Sequence, residues 1–230
     1  MHKKILVVNY KYKKLIIFDF DGTLIDSNPD LTLAVNLMLS HYDIEPLPVE
    51  VTSTFIGNGA KILVERALRQ TMQPEDITKE RFDEAFQIFF AAYRDNLSVD
   101  TYLYPGVLET LEYLDNKGYK MAICTNKPFE FIEPILTALS IKQYFATWVG
   151  ADSVPKQKPD PAPLFHLAKE MNKTIDQCIM VGDSKNDIKA AKNAGMESIG
   201  VSYGYNYNEH ISDYNPDKVV DNFVELQRLF

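Results

Sequence analysis

The sequence predicts an α/β fold, a parallel sheet interrupted near its start by a wholly helical insertion. Three observations lead there. Leu15 to Phe18 is an apolar run followed by Asp19 and Asp21, as expected of a buried parallel strand reaching the surface at its carboxyl end. Residues 27–97 carry helical spacing and no convincing strand. From Tyr104 onward short apolar runs alternate with helical patterns, the rhythm of a parallel sheet covered on both faces.

Within the insertion, Ser27 or Asn28 caps a helix that has Pro29 in its first turn and Leu31, Val35, Leu37, Met38 and Leu39 as its apolar residues. Gly57-Asn58-Gly59 breaks the chain ahead of a helix over Ala60 to Gln70. Pro74 opens a longer helix whose Phe82, Phe86, Phe89, Phe90 and Tyr93 recur at helical spacing and form a core stripe. After Pro105-Gly106 comes a helix over Val107 to Asn116, stopped by Gly118, and then a strand over Lys120 to Cys124. A helix over Phe129 to Ser140 and a short strand around Trp148-Val149 follow. Helix Ala162 to Met171, strand Cys178 to Val181, helix Asp187 to Ala194 and strand Ser198 to Val201 continue the rhythm. Lys218 to Val220 and Phe223 to Leu229 end it as a short strand and helix.

The bulk numbers exclude several classes of function. With 230 residues, 46% of them hydrophobic, the chain can bury a substantial core. A net charge of −8 argues against nucleic acid or an anionic membrane as partner. Cys124 and Cys178 both sit in apolar runs, so neither a disulfide framework nor a zinc cluster is expected. Ile5 to Val8 is too short for a signal-peptide core, and no stretch approaches membrane-spanning length. These features predict a reduced, cytoplasmic protein.

In an open parallel sheet, ligands bind beyond the carboxyl ends of the strands, and the residues there carry chemistry. In Asp19-Phe20-Asp21-Gly22-Thr23, extended geometry puts both carboxylates on one side, where they repel unless a cation sits between them. Mg²⁺, small and hard, suits such paired oxygens. The strand over Lys120 to Cys124 ends in Thr125-Asn126-Lys127, which offers a hydroxyl, an amide and backbone N–H groups to a phosphoryl group. Lys158, held extended by Pro159, is a compact positive charge suited to phosphate. A second acidic loop, Gly182-Asp183-Ser184-Lys185-Asn186-Asp187, leads into a helix.

These four segments, in this order, resemble the four motifs of the haloacid dehalogenase superfamily of phosphohydrolases, and the similarity covers nearly the whole chain after the first dozen residues. Asp19 through Asp30, Phe55 through Ala60, Val64 through Leu68 and Val201 through Asn206 further resemble its bacterial phosphoglycolate phosphatase branch. The resemblance implies a Rossmann-like core of residues 14–26 and 98–230 and an inserted all-helical cap domain of residues 27–97. Residues 1–13 have no counterpart and receive no role.

It also implies roles for residues. Asp19 is the nucleophile that forms an aspartyl-phosphate, and Asp21 protonates the leaving oxygen and then activates water. Mg²⁺ is held by Asp19, the backbone carbonyl of Asp21 and Asp183, with Asp187 supporting that site. Thr125 and Lys158 bind phosphoryl oxygens, with Asn126 beside them. In the cap, Gly57-Asn58-Gly59 offers backbone N–H groups to an anion. Arg66 or Lys61 either meets a substrate carboxylate or belongs to a solvated Lys61-Glu65-Arg69 face.

The expected substrate is a small-molecule phosphate ester, 2-phosphoglycolate first. Pyrophosphate, nucleotides, sugar phosphates and a sugar-phosphate mutase are the alternatives within the superfamily. A non-enzymatic phospholigand-binding protein is the alternative outside it, and the intact acids disfavour it. Monomer and homodimer are equally compatible with the sequence.

Overall fold

The computed structural model describes residues 9–230, so the reading of Ile5 to Val8 lies outside the described residues. Six strands form one sheet: β1 (Leu15–Phe18), β4 (Lys120–Cys124), β5 (Thr147–Val149), β6 (Cys178–Gly182), β7 (Glu197–Val201) and β8 (Lys218–Val220). Their order is β5-β4-β1-β6-β7-β8, with every neighbouring pair parallel. The first strand in sequence is therefore central, as the α/β reading requires.

Alternation along β1 builds two cores. Leu15 and Ile17 join the cluster on one face with Cys124, Met180 and Leu167. Ile16 and Phe18 join the other, which runs on without a break into Val35, Leu63, Val64 and Phe89 of the insertion. Both cysteines are free and buried.

The insertion contains α1 (Asn28–Ser40), α2 (Val49–Ser53), α3 (Ala60–Thr71) and α4 (Lys79–Asp95). Pro29 opens α1, and the Thr78 hydroxyl caps α4 by accepting from the Arg81 N–H at 3.2 Å. The aromatic stripe divides on α4: Phe89 and Tyr93 are buried, and Tyr93 meets Phe131 of the sheet domain edge-on at 5.0 Å.

Two short strands absent from the sequence reading, β2 (Ile25–Asp26) and β3 (Tyr102–Leu103), pair antiparallel where the chain leaves the sheet domain and returns to it. Asp30 braces this junction, accepting from the N–H groups of Asp100 at 2.9 Å and Thr101 at 3.0 Å and from the Thr101 hydroxyl at 2.6 Å. The remaining helices are α5 (Val107–Asn116), α6 (Ile132–Ala138), α7 (Ala162–Glu170) and α8 (Lys185–Ala194).

Four boundaries differ from expectation. The helix expected to open at Pro74 is a 3₁₀ turn there, Pro74–Asp76, and α4 starts only at Lys79. The segment expected as one helix from Phe129 begins as a 3₁₀ turn over Phe129–Phe131, and α6 starts only at Ile132. Pro134 then lies in the first turn of α6, where no intrahelical N–H is needed. The last helix is a 3₁₀ segment, Phe223–Arg228. The α8 helix starts at Lys185, ahead of Asp187, because Asp187 serves as the third residue of a capping box with Ser184. At the other end of the chain, Tyr10 is buried, its N–H donating to the Leu229 carbonyl at 2.7 Å. Lys13 pairs with Glu197 at 2.6 Å. Residues 10–13 thus pack on the sheet domain.

Candidate active site

Register brings the motif loops together. Phe18 lies level with Ile123 on one side and Val181 on the other. Asp19 therefore emerges beside Cys124 and Gly182, with Thr125 and Asp183 one residue further out.

Asp19, Asp183 and Asp187 are buried, and each places a carboxylate oxygen within 4.8 Å of the others. Asp19 Oδ1 accepts from the Phe20 N–H at 2.7 Å and lies 2.9 Å from Lys158 Nζ, so both contacts leave Oδ2 clear. Asp183 accepts from the Thr23 hydroxyl at 2.8 Å and the Tyr205 N–H at 2.6 Å. Gly22 and Gly204 press against Asp183; a Cβ at either would fall 2.3 Å from its Oδ2. At Gly22 the backbone φ of +86° also favours glycine. Asp187 Oδ2 accepts from the Ser184 N–H and hydroxyl at 2.9 and 2.7 Å, and its Oδ1 accepts from Lys158 at 2.6 Å. Both oxygens of Asp187 are thus engaged, as are both of Asp183.

The cluster lacks positive charge. Burial and the neighbouring Asp187 raise the Asp19 carboxyl well above the usual carboxylate range, against the opposing pull of Lys158. Burial and Asp187 also push Asp183 up to about 7. Burial opposes the charge on Lys158, but Asp187 and Asp19 outweigh it and raise the ammonium. Three buried carboxylates around one lysine fit a hard dication with oxygen ligands.

Asp21 points elsewhere. Its Oδ1 accepts from the Ser27 hydroxyl at 2.5 Å and from Lys127 Nζ at 2.9 Å. Between Asp19 and Asp21 on one side and the insertion on the other lies a cavity of about 40 Å³. Thr125, Asn126, Lys127, Gly57, Gly59 and Tyr93 line it together with apolar groups.

The predicted residues do not all behave alike. Thr125 is buried in the cavity wall, its hydroxyl accepting from the Lys127 N–H at 3.1 Å. The Asn126 amide donates to the carbonyls of Gly57 at 3.1 Å and Lys158 at 3.0 Å. Asn126 thus ties the loops together and has no amide proton to spare for a phosphoryl oxygen. Gly57 and Gly59 face the cavity, whereas the Asn58 side chain is held by Asn186 at 2.6 Å and Tyr207 at 2.8 Å.

Arg66 is absent from the cavity wall. One turn beyond the wall residue Leu63, it donates to the Phe55 carbonyl at 3.0 Å and stands 5.2 Å over the Tyr207 ring. Lys61 lies over Phe86 at 5.9 Å. His41 and His166 lie away from the cavity wall, with exposed side chains 3.9 Å from Glu84 and 3.5 Å from Glu170. Lys127, Ser27 and Tyr93 belong to the site although the sequence reading gave them no role there. The position of Lys127 directly after Thr125-Asn126 at a strand end was the available signal.

A sequence model of the haloacid dehalogenase-like hydrolase family matches residues 16–201. The phosphoglycolate phosphatase of Psychrobacter arcticus is 44% identical over 216 residues, covering 93% of this chain and 94% of its own length. That of Haemophilus influenzae strain 86-028NP is 44% identical over 215 residues, covering 93% and 96%. A crystal structure described as a predicted phosphoglycolate phosphatase from Haemophilus somnus superposes with a TM-score of 0.91 at 40% identity, covering 95% of this chain and 98% of that one. The match extends from β1 through β7 and so spans all four motif loops. The chain belongs to the haloacid dehalogenase-like hydrolase family.

Proposed function

We propose that this chain is a Mg²⁺-dependent phosphatase that hydrolyses 2-phosphoglycolate to glycolate and phosphate. The observation that carries the reading is the position of Asp19. One oxygen is clear of its two contacts, and the residue borders a small cavity shared with Asp21, Thr125 and Lys127. The name shared by relatives above 40% identity supports the choice of substrate.

Asp19 Oδ2 attacks phosphorus in line with the ester oxygen and forms an aspartyl-phosphate. Asp21, held by Ser27 and Lys127, delivers a proton to the departing glycolate oxygen. It then takes a proton from the water that cleaves the aspartyl-phosphate. Thr125 holds a phosphoryl oxygen, and Lys158 offsets the charge of Asp19 and Asp187, reaching a phosphoryl oxygen by exchanging one of those contacts. Asp19, Asp183 and the Asp21 carbonyl would hold Mg²⁺, which when bound would offset the charge on the phosphoryl group. Residues 27–97 act as the cap on the core of residues 14–26 and 98–230, moving on the β2–β3 ribbon to admit substrate and exclude water.

Among the described residues no helix is long and apolar enough to cross a membrane. Two free buried thiols are in keeping with the cytoplasm. The deciding experiment measures phosphate release from 2-phosphoglycolate, hexose phosphates, nucleoside monophosphates and pyrophosphate, with Mg²⁺ and with EDTA. Phosphoglycolate is expected to be the best substrate, and chelation to stop turnover. No release from any ester, or activity only with an added sugar bisphosphate, would overturn the reading.

A further inference from the structure

A phosphoglycolate carboxylate needs a partner inside the cavity, and Arg66 supplies none. Lys127 is placed to do so. Its side chain is buried and lines the cavity, with its ammonium 2.9 Å from Asp21 Oδ1 and 4.8 Å from the centre of the Tyr93 ring. Among the described residues Asp21 is the one acceptor at normal hydrogen-bond distance from that ammonium, with the Tyr93 hydroxyl close enough to interact, so at least one of its three N–H donors is free. Tyr93 lines the same cavity, and its buried hydroxyl has no partner at normal hydrogen-bond distance. A desolvated cation with a spare donor and an orphan phenol are costly to leave unmatched. Both are donors, and together they suit an anion.

We propose that Lys127 and the Tyr93 hydroxyl form a carboxylate subsite that selects the phosphate ester; the proposal rests on the phosphatase reading above. The spacing fits the substrate's chemistry. The ester oxygen must meet Asp21, and in 2-phosphoglycolate one methylene separates that oxygen from the carboxylate. Lys127 stands one hydrogen bond beyond Asp21. An ester oxygen on Asp21 therefore carries its carboxylate towards Lys127. Five other wall residues, Leu31, Ile56, Leu63, Phe89 and Phe131, offer side chains without polar atoms. A sugar hydroxyl against those side chains would stay unpaired, which disfavours sugar phosphates there.

The test compares 2-phosphoglycolate with ethyl phosphate, in which a methyl group replaces the carboxylate. The wild-type enzyme is expected to prefer phosphoglycolate at least about tenfold in kcat/KM. Lys127→Met should lower kcat/KM for phosphoglycolate about ten- to a hundredfold more than for ethyl phosphate, mostly through KM. Tyr93→Phe keeps the ring and should move the same ratio in the same direction by a smaller factor. It decides the matter if the lysine variant does not fold. A wild type without preference for the carboxylate overturns the subsite, as do equal losses on both esters in the variants; Lys127 would then serve Asp21 alone. A wild type inert on both esters refutes the phosphatase reading itself, and the subsite with it.

Discussion

Lys158 and Asp19 form a buried ion pair of 2.9 Å, and the same ammonium reaches Asp187 at 2.6 Å and the Cys124 carbonyl at 2.6 Å. All three of its protons are therefore committed, and one lysine joins the ends of β1, β4 and the α8 cap. Lys158→Met would leave Asp19 and Asp187 facing each other without a cation. Removing one partner of a buried pair costs about 3–5 kcal/mol, so the urea midpoint should fall by that equivalent. Mg²⁺ should restore part of the loss, since it binds the assembled site. An unchanged midpoint in metal-free buffer would show that the acids are neutral without Lys158.

Asp19→Asn separates chemistry from stability. Phosphate release should fall about a thousandfold or more, because an amide is no nucleophile. The metal-free melting temperature should hold or rise, since burial and Asp187 already disfavour the Asp19 charge. A melting temperature well below wild type would mean that the Lys158 pair outweighs that burial.

The stability of the metal-free protein should depend on pH in a stated direction. Asp183 titrates near 3.8 when exposed and is pushed up to about 7 in the fold by burial and Asp187. Between those values the folded state binds the extra proton, so stability is greatest below about 4 for this group and is lost as pH rises to about 7. Bound Mg²⁺ favours the ionised carboxylates and should flatten or reverse the slope. Melting curves from pH 4 to 7.5, with Mg²⁺ and with EDTA, check this. A metal-free protein that gains stability across that window would contradict the assignment.

The sheet and its four loops were legible in the sequence because buried parallel strands leave apolar runs, and the acids that follow them cannot be core. Helices α1, α3 and α4 were legible from periodicity, whereas the five-residue α2 is too short to show a period. The β2–β3 ribbon was not, because its two-residue strands leave no period to read. The contacts of Arg66 were not legible for a related reason. Helical spacing gives the side of α3 on which Arg66 lies, but not that its long side chain reaches back to the Phe55 carbonyl and across to Tyr207. Lys127 and Tyr93 lie 34 residues apart in sequence, and only the closure of α4 on the β4 loop brings them together.

Gly204→Ala tests the packing around the metal acids. Its Cβ would fall 2.3 Å from both the Cβ and Oδ2 of Asp183, so that carboxylate must move. Mg²⁺ affinity, measured by isothermal titration, should drop at least about tenfold, since a displaced ligand no longer meets the geometry Mg²⁺ demands. Wild-type affinity in a folded variant would show that Asp183 has slack the tight contacts do not suggest.

The last prediction concerns how the cap is held. Two residues of the sheet domain converge on one side chain of the insertion: the Tyr207 hydroxyl donates to Asn58 Oδ1 at 2.8 Å and the Asn186 amide to the same oxygen at 2.6 Å. Asn126 and Asn186 also donate to the Gly57 carbonyl, at 3.1 and 3.2 Å, so the turn ahead of α3 is gripped at two points. Asn58→Ala removes the side-chain grip and leaves the carbonyl one. Two lost hydrogen bonds are worth together about 1–3 kcal/mol, enough to shift a closed cap towards open without unfolding either part. Amide exchange over Ala60 to Leu63 should quicken, and KM for phosphoglycolate should rise more than kcat falls, because substrate binding must now close the cap itself. Unaltered exchange in this segment would mean that the continuous apolar core around Leu63, Val64 and Phe89 holds the cap without help from Asn58.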